Sequence, residues 1–99
     1  MNLQAFLSSQ QVKNFCQKHH IRRLSLFGSV VRDDFGPQSD IDVLVEFEPN
    51  HTPGFDFFLM ETELSQLVGR KVDLLTLNFL SPEIRQSVLS EAIPTYEQA

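Results

Sequence analysis

Apolar residues recur along the chain at two spacings, one of helices and one of strands. Over residues 9–19, Val12, Phe15 and Cys16 fall at i, i+3 and i+4, which places them on one face of a helix. Ser8, followed three residues later by Gln11, reads as a capping box at its start. Residues 23–27 (Arg23-Leu24-Ser25-Leu26-Phe27) open with the polar/apolar alternation of a strand, which Gly28-Ser29 breaks. A short helix over 30–34 is expected next, closed by the turn Asp33-Asp34-Phe35-Gly36-Pro37. Residues 41–47, rich in β-branched side chains, form the clearest strand, and the prolines and glycine of 48–54 mark a loop after it. Between 55 and 68, Phe57, Met60, Leu64 and Leu67 share a helical face, with Gly69 as the stop. Residues 72–75 make a third strand. Ser81 caps a last helix with Pro82 at its first position, and 93–96 form an extended end. The order α-β-α-β-α-β-α predicts an α/β (α+β) domain, a small sheet of three to four strands flanked by about four helices.

Composition narrows the class. The 99 residues suit one domain over 1–99, and 41% hydrophobic content with nine phenylalanines is too apolar for disorder. Eight basic against 13 acidic residues leave a net charge of −5, which argues against wrapping nucleic acid by charge alone. One cysteine, Cys16, excludes an internal disulfide framework and a cysteine zinc site, and fits a reducing compartment. The longest apolar run is four residues (57–60), too short to span a membrane. The first residues lack the basic start and apolar stretch of a secretion signal, so a cytoplasmic location is expected.

Three features carry candidate chemistry. Gly28-Ser29 follows a strand where glycine allows a tight turn; free N–H groups and a hydroxyl there suit a phosphate, although such a pair also serves as a plain turn. Asp40 and Asp42 flank Ile41 at the start of the clearest strand. Residues i and i+2 share a face, so both carboxylates aim at one spot while Ile41 points into the core. They are either a solvated strand edge or, with a cation between them, the oxygen ligands of Mg²⁺. Asp73, a lone acid in the apolar run Val72-Asp73-Leu74-Leu75, must face water or a cation. If its strand lies beside that of Asp42, it becomes a third carboxylate.

The spacing Gly28-Ser29, ten residues, then Asp40-x-Asp42, with the later lone Asp73, resembles the signature of the DNA polymerase β-type nucleotidyltransferase superfamily, and its minimal members most closely. The stretch from Ser25-Leu26-Phe27-Gly28-Ser29-Val30-Val31-Arg32 through Ser39-Asp40-Ile41-Asp42-Val43-Leu44-Val45 carries the likeness, as does Gly69-Arg70-Lys71-Val72-Asp73-Leu74. Asp33 stands where glycine is more usual, between the motif's fixed positions. The resemblance implies a nucleotidyltransferase-type fold with a small mixed sheet. It implies that Gly28 and Ser29 hold a nucleotide triphosphate, that Asp40 and Asp42 bind one or two Mg²⁺ ions, and that Asp73 completes the metal site and helps activate the attacking hydroxyl. Arg32 is the candidate cation for the phosphates, its alternative being a salt bridge to a nearby acid. Arg70 and Lys71 are weaker candidates for the same role, and solvated surface positions are the favoured reading of both.

Larger relatives carry an added domain for the acceptor, for which 99 residues leave no room. The resemblance therefore implies a partner: a HEPN-class RNase toxin, held in a hetero-oligomer and neutralised by transfer of AMP from ATP onto a hydroxyl, usually a tyrosine. ATP, rather than another nucleotide, comes from the resemblance alone. Two other readings stay open, an antitoxin that neutralises by binding without catalysis, and nucleotidyl transfer to a small molecule. No membrane or direct nucleic-acid contact is expected. His19-His20, at a helix end, suit its dipole, and with His51 placed far away in a loop a metal site among them is not expected. Cys16 is read as a small core residue. Phe55, Phe57 and Phe58 cannot all face one core from one helix, and an exposed patch of them would mark a partner surface.

Overall fold

A computed structural model describes residues 9–28, 36 and 40–98. Helix α1 (Gln10–Lys18) buries the stripe of Val12, Phe15 and Cys16. Ser9 holds its N-cap position and makes no side-chain capping bond, while Ser8, the expected cap, lies outside the described residues. Strand β1 (Ile21–Phe27) starts ahead of the alternating run, because Ile21 already pairs with Phe47 of the next strand. A register irregularity between Ile21 and Arg23 hid this start from the pattern, since a bulge breaks strict alternation. Arg22 and Arg23 both reach Glu46, and Arg23 also reaches Glu97.

Strand β2 (Ile41–Phe47) runs antiparallel to β1. Helix α2 (Asp56–Val68) crosses over to β3 (Val72–Leu75), which is parallel to β2, the connection that a parallel pair requires. The buried face of α2 is Phe57, Met60, Leu64 and Val68, with Leu67 packed half-buried at its margin. Of the three neighbouring phenylalanines only Phe57 is buried; Phe55 and Phe58 are 90% and 66% exposed. Gly69 ends α2 in the left-handed region (φ 73°). A 3₁₀ turn (Leu77–Phe79) leads to α3 (Pro82–Glu91), where Ser81 occupies the N-cap position without a side-chain bond and Pro82 opens the helix. The extended end is a full strand, β4 (Ile93–Glu97), antiparallel to β1, with Thr95 Oγ1 donating to the Leu24 carbonyl at 3.1 Å. Pro94 is tolerated because β4 is a sheet edge.

The sheet is mixed and four-stranded, in the order β3-β2-β1-β4. On one face α1 and α2 cover Leu24, Leu26, Ile41, Val43, Val45, Val72 and Leu74, the main core. On the other, Val88 of α3 packs on Phe27 and Leu44, with Leu75, Leu77, Leu80 and Ala92 around them. Three α-helices are present among the described residues; the short helix expected over 30–34 lies outside them.

Candidate active site

Strand register brings the acids together. Phe27, the last residue of β1, pairs with Asp42, and Asp42 pairs with Asp73. The end of β1, Asp42 and Asp73 therefore form one row across three adjacent strands, with neighbouring strands about 4.8 Å apart. Ile41 is fully buried in the main core, so Asp42 projects from the opposite face, the one shared by Phe27 and Leu44. Asp40 lies one step outside β2 on that same side. The Ile41 N–H donates to the Lys71 carbonyl at 3.0 Å, tying the start of β2 to the start of β3 and fixing the height at which the acids meet.

Gly28 sits directly on this row. Its φ is +74°, and a Cβ placed on it would lie 2.2 Å from Asp42 Oδ2 and 3.1 Å from its Cγ. Glycine is required twice here, for the left-handed backbone and for the room that the Asp42 carboxylate occupies. The carboxyl of Asp73 is held above its ordinary value. Burial is the main cause, the Asp40 charge adds to it, Lys71 opposes it, and Glu61 pushes further upward.

Lys71 is an exposed surface residue as expected, its side chain 70% exposed, and its Nζ lies 3.5 Å from Asp40 Oδ2 at the edge of the site. Arg70 Nη2 donates to the Gly36 carbonyl at 2.8 Å and so is held by the protein. Ser29 and Arg32, expected to hold phosphate, lie outside the described residues. The sequence reading missed Glu61. Its Oε2 accepts the Leu74 N–H at 2.8 Å, and Ser65 Oγ accepts the Val72 N–H at 2.9 Å. The available signal was two polar residues at i and i+4 beside the apolar stripe of α2, a spacing that also describes any solvated helix flank.

The donor set suits Mg²⁺. All the candidate ligands are hard carboxylate oxygens, and a cation beside Asp40 and Asp73 would offset the charge of Asp40 that acts on Asp73. Among the described residues no three His, Cys, Asp or Glu side chains form a group that could hold a metal ion, so Asp40, Asp42 and Asp73, expected as a three-carboxylate metal site, do not converge into one here. The histidines behave differently from expectation. His51 is not remote: its ring stacks on His20 at 3.9 Å between centroids. The loop folds back because the Glu48 N–H donates to the His20 carbonyl at 2.9 Å, and the Glu48 carboxylate meets His20 Nδ1 at 3.3 Å.

Comparison with known proteins places this geometry. A protein adenylyltransferase, MntA of Thermococcus cleftensis, is 34% identical over 82 residues, which is 82% of this chain and 81% of that protein. A solved structure provisionally described as a minimal nucleotidyltransferase is 36% identical and superposes with a TM-score of 0.77, covering 95% of this chain and 96% of that one. The fold also matches a complex of tri-AMPylated Shewanella oneidensis HEPN toxin with MNT antitoxin, at 18% identity and a TM-score of 0.68, over 96% of this chain and 73% of that one. The nucleotidyltransferase domain family matches residues 8–94, and this chain belongs to that family.

Proposed function

We propose that this chain is a Mg²⁺-dependent protein adenylyltransferase that moves AMP from ATP onto a tyrosine hydroxyl of a HEPN-class toxin and thereby acts as its antitoxin in the cytoplasm. The observation that carries the reading is the row formed by Gly28, Asp42 and Asp73, with the charge of Asp40 acting on Asp73 beside it. Its family membership supports the reaction type. The names of MntA and of the AMPylated toxin complex support the acceptor class. Residues 1–99 are taken as a single minimal catalytic domain.

In this reading Gly28, with Ser29 and Arg32, receives the triphosphate, and the glycine's lack of a side chain lets the phosphates approach the Asp42 carboxylate closely. Asp40 and Asp42 hold the metal, with Asp73 at its margin. Mg²⁺, when bound, stabilises charge on the attacking and leaving oxygens. The acceptor oxygen forms a bond to the α-phosphorus, the bond from that phosphorus to the β-bridging oxygen breaks, and pyrophosphate leaves. The acceptor proton passes to Asp73, whose raised proton affinity suits a base better than an ordinary carboxylate would. Little covalent work falls to the protein; positioning and electrostatics carry the step.

The test is transfer of label. The chain is mixed with Mg²⁺, each of four α-labelled nucleoside triphosphates, and a HEPN-class protein of the same organism. Label is expected on the partner from ATP alone, and it should vanish with the Asp40→Ala/Asp42→Ala double variant. A stable complex that is never labelled would leave neutralisation by binding. Label on a small acceptor without any partner would redirect the activity to small molecules.

A further inference from the structure

Strand β3 carries Asp73, yet it is only four residues long and lies at the edge of the sheet. An edge strand this short presents unpaired N–H groups and frays unless something holds it. Here the missing neighbour is replaced by side chains of α2. The amides on either side of Asp73 point away from β2, and each finds an acceptor: the Leu74 N–H donates to Glu61 Oε2 at 2.8 Å, and the Val72 N–H donates to Ser65 Oγ at 2.9 Å. Ser65 in turn donates its hydroxyl proton to the Glu61 carbonyl at 2.8 Å, which orients its lone pairs toward Val72. Glu61 and Ser65 stand one helical turn apart, so their spacing along α2 matches two alternate residues of a strand. The helix is anchored independently by Met60 and Leu64, which are 1% and 0% exposed in the main core.

We infer that Glu61 is a positioning residue for the transfer reaction, acting through the Leu74 amide to hold Asp73 in register opposite Asp42. This rests on the reading that Asp73 serves the reaction. Glu61 touches no reacting atom; its work is to keep a short edge strand from shifting. Its charge also lies near Asp73, so an electrostatic role must be separated from the hydrogen bond. Two conservative variants do this. Glu61→Gln keeps the reach and an acceptor oxygen but removes the charge. Glu61→Asp keeps the charge but withdraws the oxygen by one methylene.

The experiment uses the full chain with its acceptor protein. Exchange of the Leu74 amide is followed by NMR, together with kcat and the KM for ATP. Glu61→Asp is expected to speed Leu74 exchange about tenfold or more, as a local opening of the edge would. It is also expected to lower kcat by about tenfold or more, up to the roughly hundredfold that an ångström of misplacement costs, with KM for ATP held within about twofold. Glu61→Gln should retain Leu74 protection and stay within about threefold of the native kcat. The reverse order, with Glu61→Asp active and Glu61→Gln impaired, would overturn the inference in favour of a charge role. Unchanged Leu74 exchange in Glu61→Asp would overturn it as well, as would accelerated exchange with native kcat. An Asp73→Ala control that still transfers AMP would strike the assignment of Asp73 itself, whereas the exchange data read the hydrogen bond without reference to activity.

Discussion

Gly28→Ala is the sharpest perturbation of the site, because its cost can be worked from the structure. The new Cβ would stand 2.2 Å from Asp42 Oδ2, where ordinary contact begins at 3.4 Å, so about 1.2 Å must be found. The Asp42 Cγ and Cβ, at 3.1 and 3.3 Å, leave no easy retreat along the same direction. The carboxylate has to turn away, at about 0.5–1.5 kcal/mol for a side chain forced off its rotamer. Alanine at φ +74° adds about 1–2 kcal/mol of backbone strain. The sum, about 1.5–3.5 kcal/mol, corresponds to a fall in Tm of roughly 6–28 °C for a domain of this size. With Asp42 holding the metal as proposed, displacing its carboxylate by about an ångström should lower transfer by about a hundredfold. Thermal unfolding and the label-transfer assay measure both. In an Asp42→Ala background the carboxylate is gone and only the backbone strain remains, so the stability cost of Gly28→Ala should shrink by about 1 kcal/mol. Equal cost in both backgrounds, or native transfer by Gly28→Ala, would refute the close-approach argument.

Two further outcomes follow from the titrating groups. Asp73 binds its proton more tightly in the folded chain than its ordinary value of 3.8 implies, through burial and then the neighbouring Asp40. Its contribution to stability is therefore full below that value and is lost as pH rises through the raised one. In metal-free buffer Asp73→Asn should melt at the same temperature as the native chain in acid and above it at neutral pH. Excess Mg²⁺ should narrow the gap by stabilising the native chain more than the variant, and a pH-independent gap would count against the assignment. Cys16 is buried and its thiol is pushed up to about 12, so almost no thiolate exists at neutral pH. An aromatic disulfide reagent should leave the folded chain unmodified and react promptly in denaturant; rapid native labelling would show that α1 opens readily.

The elements that read clearly were those whose pattern is local. The stripe Val12, Phe15 and Cys16, the β-branched run 41–47 and the stop at Gly69 depend on backbone geometry and one buried face, and the structure has all three. The start of β1 was misread because a bulge broke the period at Arg22-Arg23. An extended end became β4 because its bonds to β1 join residues some seventy positions apart, Thr95 to Leu24 among them. The stack of His51 on His20 escaped for the same reason: a loop's return path is decided by what it meets.

Which residues could do chemistry is written in residue type and local period alone. A glycine before a serine, two acids sharing one strand face and one acid stranded in an apolar run are properties of residue type and of the two-residue repeat of a strand. Their meeting at one place rests on long-range strand pairing. Asp42 and Asp73 lie opposite each other because β2 and β3 pair in parallel at one register, and a shift of one residue would turn Asp73 to the other face. Gly28 touches Asp42 because β1 ends at that height. Glu61 and Ser65 matter because α2 lies along an otherwise open edge. Register and edge contacts are non-local, and the free energy that selects them comes from burying the whole core at once, which no short window of sequence contains.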